Sequence, residues 1–303
     1  MRKLVAAVGL PALTILALAA CGSSSSSSST SSTSVTVVKT GASATSATVA
    51  SQVPAAMKSK GTLNVATEAQ YAPNEFIAPN GHTIIGMDAD LTNALGAVMG
   101  LKVNLINSNF ETIIPGLAAG RYDVGASSFT DTKEREKTVD FVDYFNAGIS
   151  FYAKSSANPG VTVLADLCGK TVAVEKGTVE QEEAQAQSKK CTGEGKKAVT
   201  VLIFTGQNAV NLAVSGGRAE VGMADSPVVA YQIKQSNGAF KLVGKTYKFA
   251  PYGLAIPKTS GMTTPILAAL KVLIANGEYH AILAKWGLED GAITVPTING
   301  ATS

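Results

Sequence analysis

The chain has 303 residues, 46% of them hydrophobic and 16% charged, with a formal net charge of +3. A balance this close to neutral and this dispersed leaves no nucleic-acid footprint. Beyond the first twenty residues no apolar run is long enough to cross a bilayer, which excludes a channel or a membrane-embedded pump. The roughly 240 residues from Lys60 onward can bury one or two sizeable cores.

In chain order the first element is an address. Arg2 and Lys3 precede an uncharged apolar run over 4–20, and a basic start followed by such a run reads as an export signal. The run ends in Leu18-Ala19-Ala20-Cys21, which resembles the lipobox of bacterial lipoprotein signals. That resemblance implies cleavage before Cys21 and attachment of diacylglycerol to its thiol. The mature protein would then sit on the outer face of the cell membrane, held by its lipid anchor alone. An ordinary secretory cleavage would leave it free.

Residues 22–56 are almost all Ser, Thr, Ala, Val and Gly, opening with an unbroken serine run. With no period and almost no charge, this composition predicts a flexible tether over 21–60. About 35 residues of such chain span roughly 30–35 Å. Of the three cysteines, Cys21 is taken by the lipobox, which leaves Cys168 and Cys191. In an oxidising compartment they are expected to pair, closing a loop of about 24 residues worth roughly 3 kcal/mol. A cytosolic chain would keep them as two separate thiols. Their spacing does not suit zinc, and no cofactor or metal is expected.

From Thr62 the signals of strand and helix alternate. Thr62 to Ala66 reads as a strand; Leu91, Ala94, Leu95 and Val98 recur at helical spacing before Gly100. Leu101, Val103 and Leu105 form a second strand, and Ile113, Ile114 and Leu117 a helix stopped by Gly120. This order predicts an α/β fold with mostly parallel pairing. An internal echo then appears. Gly120-Arg121-Tyr122-Asp123-Val124-Gly125 returns as Gly217-Arg218-Ala219-Glu220-Val221-Gly222, each copy after an apolar helix and before a short strand. The copies lead into Ser127-Ser128-Phe129-Thr130 and Ala224-Asp225-Ser226. Ligands of open α/β sheets lie beyond the carboxyl ends of strands, so hydroxyls from one copy and a carboxylate from the other point toward a shared cleft.

Several motifs then converge in order and spacing. They are Thr67-Glu68-Ala69-Gln70-Tyr71-Ala72-Pro73, Gly86-Met87-Asp88-Ala89-Asp90-Leu91, Gly120-Arg121-Tyr122-Asp123, Thr130-Asp131-Thr132-Lys133-Glu134-Arg135, Val174-Glu175-Lys176-Gly177-Thr178 and Lys285-Trp286-Gly287. Over residues 61–298 the chain resembles the bacterial extracellular solute-binding proteins for polar amino acids, family 3, of actinobacterial type. The resemblance implies a two-lobed periplasmic-binding-protein-like (type II) fold with two hinge crossings. One lobe would comprise 61–148 and 252–298, with the other, 149–251, inserted between. It also implies the substrate-binding part of an ABC importer, a monomer that takes a free amino acid to a permease with a separate ATPase.

A free amino acid presents a carboxylate, an ammonium and a side chain. The resemblance assigns the carboxylate to Arg135, whose guanidinium can form two parallel bonds, aided by Thr130 and the backbone around Ser128. Gly177 and Thr178 would offer amide donors at a helix start, where Thr178 and Gln181 fit a capping box, and Val179 would also meet the ligand. Asp225 would accept from the ammonium, with Ser127 assisting. Tyr71, Phe110 and Phe129 would wall the carbon chain. Glu68 and Glu175 would lie near the ligand side chain and, if both face the pocket, favour a cationic or amide group. The alternative is an enzyme of the same fold, such as a cyclohexadienyl or arogenate dehydratase-like lyase. No His-Glu-x-x-His or Gly-x-Ser-x-Gly motif supports it.

Overall fold

The computed structural model describes residues 44–302. The expected signal run and the lipidation site at Cys21 therefore lie outside the described residues. The tether expected to reach residue 60 does not. Two short helices, α1 (Ala47–Gln52) and α2 (Ala55–Lys60), occupy its end. Ser46 caps α1 by accepting from Val49 N–H, while its own N–H donates to Val98 O at 3.0 Å. Val49 and Val53 are buried, at 3% and 2% exposure, in the first hydrophobic core. Two valines four residues apart share one helical face. That was enough to dock a segment whose composition carries no period.

The first half of the fold runs β1 (Thr62–Thr67), β2 (Gln70–Tyr71), β3 (Glu75–Ile77), β4 (Ile84–Ile85), α3 (Met87–Met99), β5 (Lys102–Asn107), α4 (Phe110–Ala118) and β6 (Val124–Gly125). A long strand, β7 (Val139–Lys154), leads into β8 (Thr171–Glu175), α5 (Val179–Gly193), β9 (Thr200–Phe204), α6 (Gln207–Ser215), β10 (Val221–Asp225) and α7 (Ser226–Gln235). Another long strand, β11 (Phe240–Pro257), returns to the first half, which α8 (Thr263–Ala275) and α9 (Glu278–Trp286) complete.

One eight-stranded sheet joins everything, in the order β5-β1-β6-β11-β7-β10-β8-β9. Each half contributes three parallel strands with its first strand in the middle, β1 between β5 and β6, and β8 between β9 and β10. The antiparallel pair β7 and β11 lies between them and belongs to both halves. Its register shifts between Val243 and Tyr247, Tyr247 and Ala250, and Tyr252 and Gly253, so the pairing is least regular where the chain crosses. A small antiparallel sheet, β2-β3-β4, lies apart.

Period-2 alternation sorts the strand side chains onto two faces. Leu63 and Val65 join α3, α8 and α9 in one core, while Ala66 meets Ile113 and Leu117 of α4 in another. In the second half Val172 and Val174 pack with Val179, Ala184 and Cys191 of α5, and Ala173 with Val210, Ala213 and Val214 of α6. Cys168 and Cys191 are joined by a disulfide, with Cα atoms 5.6 Å apart.

The sequence echo is a structural repeat. Gly120 and Gly217 both stand at positive φ, +71° and +72°. Arg121 N–H and Arg218 N–H turn back to Gly116 O and Ala213 O. The acid of each motif grips the start of the neighbouring strand: Asp123 accepts from Asn64 N–H at 2.7 Å, Glu220 from Thr171 N–H at 3.0 Å. Each acid also pairs with a lysine just before that strand, Lys60 or Lys170.

Candidate functional site

The carboxyl ends of β1 and β6 face those of β8 and β10 across a cavity whose atom-free space, open solvent included, is about 290 Å³. Several contacts hold the two halves together. Tyr71 O–H donates to Asp225 Oδ2 at 2.8 Å and accepts from Asp225 N–H at 3.1 Å. Arg135 donates through Nη1 to Thr130 O at 2.7 Å and through Nη2 to Gly177 O at 3.0 Å, spanning both halves. Lys176 pairs with Glu111 at 3.3 Å. Gly177, at φ +80°, lies so close to α4 that a Cβ there would meet Glu111 Cβ at 2.8 Å. The arrangement is a closed clamp.

Most of the expected residues do meet here. From the first half the cavity is lined by Glu68, Tyr71, Phe110, Ser127, Ser128 and Thr130 together with Arg135. From the second half it is lined by Glu175, Thr178, Val179 and Asp225. The dense charge run around Arg135 divides: Lys133 pairs with Glu136 and Lys137 with Glu134 on the surface. Arg135 alone turns inward, its guanidinium carbon 5.5 Å from the Phe110 ring centre and 5.7 Å from that of Phe129. Burial lowers its pKa, though nearby acids oppose the shift.

Three expectations need correction. Phe129 does not wall the cavity; it is 1% exposed and stacks behind Phe110, with ring centres 4.5 Å apart. Gly177 offers no amide to the cavity, because its N–H donates to Gln181 Oε1 at 2.8 Å. The capping box is thus shifted by one residue: Thr178 Oγ1 accepts from Gln181 N–H, and the glutamine reaches past Thr178 to Gly177. Nor is the Ser128 backbone a donor to the cavity, since its N–H is taken by Asp88 Oδ2 at 2.8 Å.

The electrostatics are dominated by buried acid. Glu68 is 2% exposed and Glu175 3%, and none of their four carboxylate oxygens makes a well-formed hydrogen bond, although Gln70 stands close enough to Glu68 to draw its pKa down against the effect of burial. Burial pushes Glu68 up to about 7. It raises Glu175 as well, and the neighbouring Glu68 raises it further. Asp225, at the start of α7, makes no side-chain cap. Burial lifts it to about 6, although Tyr71 and Arg135 pull it down.

Two further acids line the cavity that sequence reasoning missed, Glu75 and Glu180. Glu180 is 2% exposed, with Oε1 unpartnered, and burial and Asp225 raise its pKa. It stands in the first turn of α5 with Glu182, where acids usually serve the helix dipole, so its inward direction carried no sequence signal. Glu75 lies on β3, outside the main sheet. Among the described residues no group of three or more His, Cys, Asp or Glu side chains is arranged so that it could hold a metal ion.

The model of the bacterial extracellular solute-binding proteins, family 3, matches residues 63–289. The chain belongs to that family. As a member it is an exported, bacterial-type solute-binding protein with the two-lobed fold of its relatives. This solute-binding protein is 36% identical over 252 residues to an arginine-binding protein of Corynebacterium glutamicum, covering 83% of this chain and 82% of that one. An ancestral arginine-binding protein bound to glutamine superposes with a TM-score of 0.68 at 34% identity, over 76% of this chain and 99% of that chain. A variant of an arginine-binding protein from T. maritima gives a TM-score of 0.70 at 28% identity, over 77% and 97%.

Proposed function

We propose that this protein captures one cationic amino acid, arginine or a close analogue, between its lobes and delivers it to the permease of an ABC importer, whose separate ATPase supplies the energy. The observation that carries this reading is the pair Glu68 and Glu175, one from each half, both buried at the cavity with no well-formed hydrogen bond to any of the four carboxylate oxygens. Burying carboxylates without partners is costly. A guanidinium, with five N–H groups in one plane, satisfies both acids at once. A neutral amide brings fewer donors, and an acidic side chain would add a third negative charge.

At the other end of the ligand, Arg135 is the group for the carboxylate. Thr130 O and Gly177 O already fix its guanidinium plane, which lowers the ordering cost of a charge-assisted contact. Asp225, helped by Ser127, takes the ammonium, and Tyr71 and Phe110 pack against the carbon chain. Val179, Thr178 and Thr130 close the carboxylate end. The relatives named as arginine-binding proteins support this assignment. The lyase alternative is not favoured, because the relatives are named as binding proteins.

For the ligand to enter, lobe 1 (61–148 and 252–298) and lobe 2 (149–251) part about the crossings in β7 and β11, where the register is already irregular. The protein acts as a monomer anchored through lipidated Cys21 on the outer face of the membrane, with no nucleic-acid partner.

The test is calorimetric titration and thermal shift of the soluble domain with the common amino acids, ornithine and citrulline. Arginine at a hundred times its Kd adds about 2.7 kcal/mol of stability, and citrulline, its uncharged isostere, binds at least about tenfold more weakly. No response to any cationic amino acid, or equal binding of citrulline, would refute the assignment.

A further inference from the structure

Glu75, which lines the cavity, and Asp88 behind it are each 1% exposed and share the Ser128 hydroxyl, whose Oγ lies 3.2 Å from Glu75 Oε2 and 3.4 Å from Asp88 Oδ2. The salt bridges among the described residues include neither acid. Two adjacent carboxyls in a low-dielectric interior do not both ionise, so the pair holds a proton. The donors around each acid decide where it resides. Asp88 Oδ2 accepts from Ser128 N–H at 2.8 Å, a donor that cannot turn round. Asp88 Oδ1 accepts from Tyr144 O–H at 2.7 Å. Glu75 faces only hydroxyls: Ser127 Oγ is 3.0 Å from Oε1 and Ser128 Oγ 3.2 Å from Oε2. Asp88 is therefore the carboxylate and Glu75 the acid, with Glu75 O–H directed at Asp88. Burial, Asp88 and Glu68 all push Glu75 in the same direction.

This order propagates to the cavity. With its proton turned to Asp88, Glu75 presents Oε1 as a carbonyl acceptor, and Ser127 O–H donates to it. Ser127 Oγ also accepts from Glu68 N–H at 2.9 Å. The hydroxyl has one hydrogen and two lone pairs, so what remains for the cavity is a single lone pair. Had the Glu75 proton sat on Oε1, Ser127 would offer a hydrogen instead. We propose that Glu75 is a positioning residue, held as a neutral acid by Asp88, which fixes Ser127 as a pure acceptor and so selects an α-ammonium over an α-hydroxyl or α-keto group at that point. The proposal deepens the amino-acid reading and rests on it for the ligand, but the protonation of Glu75 is independent of any ligand.

Two measurements test it. Infrared spectroscopy of the unliganded protein at about pH 8, above the ordinary carboxyl range, is compared between wild type and Glu75→Gln. The difference should show a protonated-carboxyl carbonyl band for wild type; a carboxylate band in its place overturns the proposal. Binding of arginine is then compared with binding of its α-hydroxy analogue, 2-hydroxy-5-guanidinopentanoate. Wild type should prefer arginine by roughly tenfold or more. Glu75→Leu should reduce that preference, leaving the part set by Asp225, and Glu75→Gln should restore it, because the amide keeps a carbonyl for Ser127 and a donor for Asp88. If Gln fails to restore what Leu has removed, or Leu leaves the preference intact, Glu75 does not set the polarity. Wild type that binds no arginine would refute the ligand assignment and leave the infrared result standing.

Discussion

The two lobes share one plan and diverge at their tips. In both, the first strand lies in the middle, a Gly-Arg turn follows the second helix, and an acid from that turn clasps the start of the first strand beside a lysine. Beyond β6, however, the chain carries Ser127 and Ser128 backed by a buried acid pair. At the end of β10 it carries Asp225, met by Tyr71 from the other lobe. The repeated parts are those that any parallel three-strand unit needs in order to close its turns. The differing parts lie at and just past the strand ends, where the side chains face the cleft and chemistry is free to vary. A zwitterion needs unlike partners at its two ends, which a symmetric pair of lobes could not provide.

The largest expected effect breaks that asymmetry outright. Arg135→Ala leaves a ligand carboxylate unpaired on closure, and arginine affinity should fall by about a hundredfold or more in calorimetric titration. Next comes the covalent difference between the lobes. Only the second, among the described residues, carries a disulfide, and Cys168→Ser should cost about 3 kcal/mol in chemical unfolding. Ligand affinity should change far less than stability.

Smaller but more diagnostic are the acids shared across the cleft. Glu68→Gln and Glu175→Gln should each weaken arginine by about 10- to 100-fold while citrulline changes little. Equal losses for the two ligands would show that the acids do not read charge. The same groups fix the sign of the pH response. Glu68 at about 7 and Asp225 at about 6 stand above their ordinary values of 4.5 and 3.8. Between those limits the folded, unliganded protein binds more protons than the unfolded chain, so these groups lower stability as pH rises from about 4 through 7. A cationic ligand competes with those protons, so the stabilisation it adds should grow over the same range. The gap between the melting temperatures with and without arginine should therefore be wider at pH about 8 than at pH about 5.

The smallest effect concerns what the lobes have in common. Lys60→Met and Lys170→Met remove exposed ion pairs of the same design and should each cost less than about 1 kcal/mol, by similar amounts. A large difference between them would mean that the repeat is not mechanically equivalent.

Much of this was legible in the sequence. The strands of Thr62–Thr67 and Lys102–Asn107 came from period-2 alternation. The lobe repeat came from the Gly-Arg echo, because turn chemistry is local and spelled in adjacent residues. What stayed hidden depended on direction. Phe110 and Phe129 are equivalent as aromatic residues, and only the stacking of one behind the other removes Phe129 from the cavity. Gly177 looked like a donor because nothing in the sequence says that Gln181 reaches it first. Glu180 was lost in a run of acids on α5, and Glu75 because β3 belongs to no periodic segment. The helices at 47–60 were missed because composition spoke for disorder while two valines supplied the docking.

The central claim is that one ligand lies across the cleft in a single direction, and a crystal structure of the arginine complex addresses it directly. The account places the ligand carboxylate on Arg135, its ammonium on Asp225 and Ser127, and its guanidinium between Glu68 and Glu175. A ligand bound in reverse, with its guanidinium at Asp225 and Glu180 and its carboxylate away from Arg135, would contradict it.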